Sequence, residues 1–530
     1  MKSGNIGYQN KTKDRTAVIY NILWQCMIIA SFFAIFFLTA ISSSLFQSWD
    51  KSFKDAAVSG AVIFGIILLG LFGGWLFLFI RQGYYKRDYD VAGMGIILVV
   101  SYIIRAGMIG TIQIDEGLYC YNDLKELAYH PELMLTDFIG AGKLAGRAAY
   151  GYNFFALMGE FMLPGTDSGF QWAQLYMGVG AACCLYGIFK KLFPAVRKII
   201  LLSAALVVSL QPMFLGLSTM CGLEYGIVVF FLYAFYCCLN KRYILMVFWL
   251  VMLATTKGTG AIMSLCFISS YFAAKLIVYV AGKVHGDAEK DLQKVNAGFA
   301  AAGIVTMAAI AAFVYTVWKI CVINGIGLNF KHIQLKLAQL YVLNFSWIWA
   351  LIVVTGLVMI IFNRRVRQAY RMDFVPAFML AAAYIVHTAY LFFYTNAVLP
   401  RYDMLSDVLL CVIGVILLIK MFERRRAVLS VLGILGVLMF GEAFMTIDPI
   451  SSSVFTTIET NTFPLVQTSS FKSELKNSED NPGDYSFYNY QYTMIYNAKD
   501  DILQRFNLLD GCVEMEAQNE EADSKSQGNY

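Results

Sequence analysis

The chain has 530 residues, 58% of them apolar and only 15% charged, with a net charge of +5 and a mean hydropathy of +0.60. This excludes a soluble globular protein and gives no indication of nucleic acid as a partner. It predicts an all-α integral membrane protein in a lipid bilayer: a hydrocarbon core of about 30 Å takes roughly 20 apolar residues per helix, and lipid leaves no backbone group free to stay unbonded.

Lys2, Lys11, Lys13 and Arg15 precede the first long apolar run, which has no small-residue cleavage site and is read as an uncleaved first span. Apolar runs then fall near 17–41, 57–80, 91–110, 169–189, 199–217, 223–239, 243–256, 260–282, 297–318, 340–362, 373–395, 404–422 and 427–446, predicting about 13 transmembrane helices. Basic residues cluster in alternate connections: Arg81/Lys86/Arg87, Lys190/Lys191/Arg197/Lys198, Lys241/Arg242, Lys283/Lys290/Lys294, Arg364/Arg365/Arg367/Arg371 and Lys420/Arg424/Arg425/Arg426. With the N-terminus cytoplasmic, every cluster lands inside. This parity requires a break at Thr255-Thr256-Lys257-Gly258-Thr259-Gly260, because a single span over 243–282 would move the two strongest arginine clusters outside.

Three longer segments are then extracytoplasmic: 111–168, 319–339 and 447–530. In the first, Ile114, Leu118, Tyr121, Leu124 and Leu127/Ala128 recur at helical spacing opposite Asn122, Asp123, Lys125 and Glu126, until Pro131 stops the pattern. That predicts an amphipathic helix on the membrane surface, with a second over about 133–150. Residues 152–163 are too short to span and are expected to dip into the interface. In the tail, Tyr485, Phe487, Tyr488, Tyr490 and Tyr492 suit either one or two strands or a membrane-facing aromatic strip. The chain thus divides into a two-span extension (1–90), a transmembrane core (91–446, with the outer loop 111–168), a small extracytoplasmic segment (447–513) and a disordered acidic tail (514–530).

The longest inside connection is about 14 residues, too short for a nucleotide-binding domain, and neither a phosphate-binding loop nor a dinucleotide fingerprint is present. ATP-driven transport and a cytoplasmic nucleotide-sugar donor are therefore disfavoured, and a substrate must arrive through the membrane or from outside. The 11 cysteines show no zinc spacing and fall mostly in apolar runs. No cofactor is expected. A divalent metal is compatible with the neighbouring acids below, but no ligand set for one is visible.

Asp115 and Glu116 follow the third run, on the outer side. Asp115 suits a helix cap, and a carboxylate at an apolar mouth also suits a general base towards a hydroxyl. Arg401 and Tyr402 lie at the outer end of a span, where a guanidinium can snorkel to ordinary lipid or bind a lipid-borne phosphate. Lys257, in the 255–260 turn, has the same two readings. Arg105 lies within the third span at a cost on the order of 3 kcal/mol, so it should face the interior and pair with an acid such as Glu160 or Glu224. Glu224, at an outer span end, is a candidate second acid, and His332 in the second outer loop could approach a phosphate.

The order of these features resembles the GT-C superfamily of membrane glycosyltransferases, which includes the protein O-mannosyltransferases and the lipid A aminoarabinose transferases. The matching residues are Asp115-Glu116 after an odd-numbered span, the amphipathic stretch 117–150, Lys257-Gly258-Thr259-Gly260 and Arg401-Tyr402, spanning roughly 91–425. The two spans before the acidic loop are extra, and the tail is shorter than the soluble domains of some relatives. The resemblance implies a polyprenyl-phosphate sugar as donor, used on the outer leaflet. Asp115 or Glu116 would be the base, with Arg401, Lys257 and Tyr402 at the donor phosphate. The acceptor, a glycan, lipid or protein, is left open, and the overall layout fits a bacterial plasma membrane. A polysaccharide polymerase or ligase should carry more outer arginines than Arg147, Arg401 and Arg505. A flippase should show related halves, broken midplane helices or several intramembrane charges, of which Arg105 is the visible case.

Overall fold

The computed structural model describes residues 4–82, 90–107, 109, 124–131, 150–219, 222–284, 297–320, 336–337, 340–341, 345–364, 373–394, 400–422 and 425–445. Among the described residues there is no strand, and every apolar run is helical. The helices are α1 (Gly4–Ser42), α2 (Lys51–Gln82), α3 (Val91–Ala106), α4 (Tyr150–Met162), α5 (Asp167–Leu192), α6 (Lys198–Ser209), α7 (Pro212–Gly216), α8 (Leu223–Leu239), α9 (Tyr243–Ala254), α10 (Gly258–Val284), α11 (Ala297–Ile320), α12 (Ser346–Phe362), α13 (Phe374–Tyr394), α14 (Met404–Met421) and α15 (Arg425–Met445). Seven are long and apolar enough to cross a bilayer, and six shorter apolar helices occupy the remaining runs. The second amphipathic stretch, 133–149, and the whole tail from 446 lie outside the described residues.

α8 and α14 form the centre: nearly every position of each is buried, as expected for helices apolar all round. α2 is the opposite case. It leans on α1 and leaves Val62, Ile66, Leu69, Phe77 and Ile80 exposed, as lipid-facing residues should be.

The break at 255–260 is present. α9 ends at Ala254, and the Thr255 and Thr256 hydroxyls donate back to the Val251 and Met252 carbonyls at 2.8 and 2.7 Å. α10 then folds back so closely that a Cβ on Gly260 would lie 2.1 Å from the Leu253 carbonyl oxygen. One other expectation is corrected. The run 199–217 is not one helix: α6 stops at Ser209, and α7 starts at Pro212, which lacks an N–H and clashes with a preceding turn. The Gln211 side chain caps the new start by accepting from the Phe214 N–H at 2.7 Å. Residues 152–163 fall almost wholly in α4, which packs against α5. α4 buries most of its positions, and Gly159 meets Gly169 of α5 so tightly that a Cβ would lie 2.2 Å from the Gly169 carbonyl oxygen.

The surface helix is described over 124–129, ending before Pro131 as the pattern predicts, with Leu124, Leu127 and Ala128 buried. What covers them is the N-terminal hairpin. Between α1 and α2 a 3-10 turn, Ser44–Ser48, is capped by Ser43, and the Trp49 indole N–H then donates to the Ala128 carbonyl at 3.0 Å. Leu45, Trp49, Phe53 and Phe161 share one apolar cluster with the surface helix. Trp49→Phe keeps the ring and deletes the donor, stranding a buried carbonyl. It is expected to cost about 1 kcal/mol and to speed hydrogen exchange over 124–129, read by mass spectrometry.

At the N-terminus of α3, Asp90 caps the helix through the Gly93 N–H (3.2 Å) and holds Lys198 (2.8 Å), the Tyr186 hydroxyl (2.9 Å) and, more loosely, Lys190 (3.9 Å). Lys190 and Lys198 belong to a connection that charge counting puts on one side, and Trp49 and Ala128 to connections on the other. The Lys198 hydrogen bond, with those from Tyr186 and Gly93 and the charge of Lys190, outweighs burial and lowers the Asp90 pKa from 3.8 to about 2. A depressed carboxylate stabilises the fold above its unfolded pKa and loses that contribution as pH falls through its folded one. Asp90→Asn should therefore lower the melting midpoint in detergent at pH 7, and the gap from wild type should narrow from about pH 4 towards about 2.

Candidate functional site

Three distant segments bring charge to one end of the bundle. Glu224 stands in the first turn of α8, where the free N–H groups favour a carboxylate. Lys257, from the α9–α10 turn, makes an ion pair with Glu224 Oε1, and its ammonium lies 4.5 Å from the centre of the Tyr402 ring. Tyr402 belongs to a 3-10 turn, Pro400–Asp403, leading into α14. The Lys257 side chain is 28% exposed and Glu224, behind it, 7%. Glu224 Oε2 is buried and has no hydrogen-bond partner. Thus the structure joins Lys257, Tyr402 and Glu224. The Arg401 backbone shares the Tyr402 turn, while its side chain, Asp115, Glu116 and His332 lie outside the described residues.

Arg105 is placed differently from expectation. It is fully buried, but neither Glu160 nor Glu224 is its partner. Its terminal nitrogens donate to Ser101 Oγ (2.6 Å) and the Ser209 carbonyl (3.1 Å), and the guanidinium lies 5.4 Å from the Phe214 ring centre. The cation thus serves the negative end of α6 where that helix breaks. Glu160 instead accepts from the Gly165 N–H at 2.8 Å, closing the α4–α5 turn in which Gly165 has a φ of +73°. Tyr225, next to Glu224 in the chain, is what meets Arg105: both side chains converge over Gly178, which has room for no Cβ.

Further polar groups were not singled out from sequence. Lys336, from the second outer loop, is buried and donates to the Phe392 carbonyl at 3.0 Å, near the C-terminal end of α13. Burial pushes its pKa down, and the charge of Asp403 opposes that. Asp403 is buried beside Tyr402; burial and then Asp407 push its carboxyl well up, with Lys336 pulling the other way. One turn on, the two oxygens of Asp407 accept from Ser346 Oγ (3.0 Å) and Gln211 Nε2 (3.2 Å). His387 Nδ1 meets Ser406 Oγ at 2.7 Å. The available signal was an ionisable residue inside an apolar run, at 387 and 407. Among the described residues no three His, Cys, Asp or Glu side chains gather as a metal site.

Chemically, this end of the bundle offers a partly exposed ammonium, an aromatic face and a buried carboxylate with an unused oxygen. This suits an anionic headgroup that also carries hydrogen-bond donors. No family model matches the sequence, and no curated protein matches it. Among solved structures, the arabinosyltransferase EmbB from Mycobacterium smegmatis is similar over 87% of this chain, at 14% identity and a TM-score of 0.40. The chain spans 45% of the length of that protein.

Proposed function

We propose that the protein is a membrane glycosyltransferase that moves a sugar from a polyprenyl-phosphate donor to an acceptor hydroxyl on the extracytoplasmic face of a bacterial plasma membrane. The observation that supports it is the meeting of Lys257, Glu224 and Tyr402 at one end of the bundle, beside the turn that carries Arg401. In this reading Asp115 or Glu116 takes the proton of the acceptor hydroxyl as its oxygen bonds to the anomeric carbon. The bond from that carbon to the phosphate oxygen breaks and its electron pair leaves with the lipid phosphate. Lys257 and Arg401 meet the growing charge, with Tyr402 against the Lys257 ammonium. A single displacement inverts the anomeric centre. The test is reconstitution of the full chain in vesicles with polyprenyl-phosphoryl sugars and candidate acceptors, read by mass spectrometry. Release of free polyprenyl phosphate with a glycosylated acceptor supports the reading.

A second reading, transport of a lipid-linked saccharide, draws on the interrupted α6–α7 segment, which has buried Arg105 at one break end and Asp407 at the other. In the same vesicles it gives movement of intact donor between leaflets with no new glycosidic bond.

A further inference from the structure

We propose that Glu224 is a specificity-determining residue whose carboxylate accepts a hydrogen bond from a hydroxyl of the lipid-borne sugar when the donor phosphate engages Lys257. This rests on the donor reading above and assigns a residue to the sugar end of that ligand. The exposure gradient sets the order of contact: Lys257 is 28% exposed and Glu224 7%, so an anion approaching the outer end meets the ammonium first. Lys257 uses only Oε1. Oε2 is buried without a partner, an arrangement that native structures rarely leave unanswered. Tyr152 and Thr256 flank Gly226 in the turn above Glu224, and they donate to Gln174 Oε1 (3.1 Å) and the Met252 carbonyl (2.7 Å). A carboxylate oxygen accepts and never donates, so the group that answers Oε2 is a donor held next to a phosphate. A glycosyl phosphate carries both, and plain polyprenyl phosphate as the dianion, at about pH 8, carries only the anion.

The experiment measures binding by the full chain in phosphatidylcholine nanodiscs. The probes are polyprenyl phosphate and polyprenyl-phosphoryl mannose, glucose and arabinose, with monodeoxy versions of whichever binds tightest. Glu224→Gln is expected to weaken the preferred glycosyl lipid about tenfold or more relative to plain polyprenyl phosphate. In wild type, removal of one particular hydroxyl should cost the same factor, and Glu224→Gln should add nothing to that loss. The deoxy series needs only the wild-type chain, so it decides the matter even if the variant folds poorly.

Equal weakening of both lipids by Glu224→Gln, or a deoxy series in which no position matters, overturns the assignment while leaving the donor reading standing. Failure of wild type to bind polyprenyl phosphate at all removes the donor reading and this inference with it. Phosphatidylglycerol also joins a phosphate to hydroxyls. If it displaces the glycosyl lipid, the site reads a bulk headgroup and the sugar assignment falls.

Discussion

Asp115→Asn is expected to reduce sugar transfer by about 10²–10⁴-fold in reconstituted vesicles while donor binding and the melting midpoint stay at wild-type values. The size follows from the role. An acceptor hydroxyl is a weak nucleophile until its proton has somewhere to go, and an amide cannot take it. Loss of the base should appear in the rate constant of the transfer step, with the donor dissociation constant unchanged. Glu116→Gln in the same assay identifies which carboxylate acts, since only the base should show the full loss. If both variants turn over like wild type, neither acid is the base and the mechanism needs another.

The second large effect is expected at Lys257. Lys257→Met removes the cation at the outer end, and loss of one preorganised group facing a developing anion typically costs about 10²–10³ in rate. It also leaves the Glu224 carboxylate buried without its counter-charge. Breaking a buried pair costs about 3–5 kcal/mol, reduced here to about 1–3 kcal/mol because the lysine is partly exposed. The two consequences separate in the double variant. Lys257→Met with Glu224→Gln carries no stranded charge, so its melting midpoint should recover towards wild type while transfer stays low. Recovery of transfer along with stability would show that Lys257 serves the fold alone.

What could be read in advance depended on how local the cause is. The break at 255–260 is written in adjacent residues: two threonines that bond back to their own helix, then Gly260, which admits a returning one. The amphipathic 124–129 helix is equally local. Counting sides put Lys257, Tyr402 and Glu224 at the same end, but their contact, with Glu224 paired to Lys257 and not to Arg105, came only from the structure. Other features depend on partners far along the chain. Arg105 was expected to find an acid and found a carbonyl freed by a broken helix, which a hydropathy run over 199–217 conceals. Averaging across that run also hid the effect of Pro212. Asp407 and His387 vanished into apolar stretches for the same reason, and Lys336 takes its meaning from a carbonyl of another helix.

The Arg105 contact carries a consequence for how the protein is made. The carbonyl that receives the guanidinium lies 104 residues further along the chain. At a synthesis rate of about 5–20 residues per second, α3 waits roughly 5–20 s before its partner has been translated. During that interval a 16-residue helix carries a full positive charge in its last turn without its final ligand. The third helix is therefore expected to complete its packing only once α6 has been made.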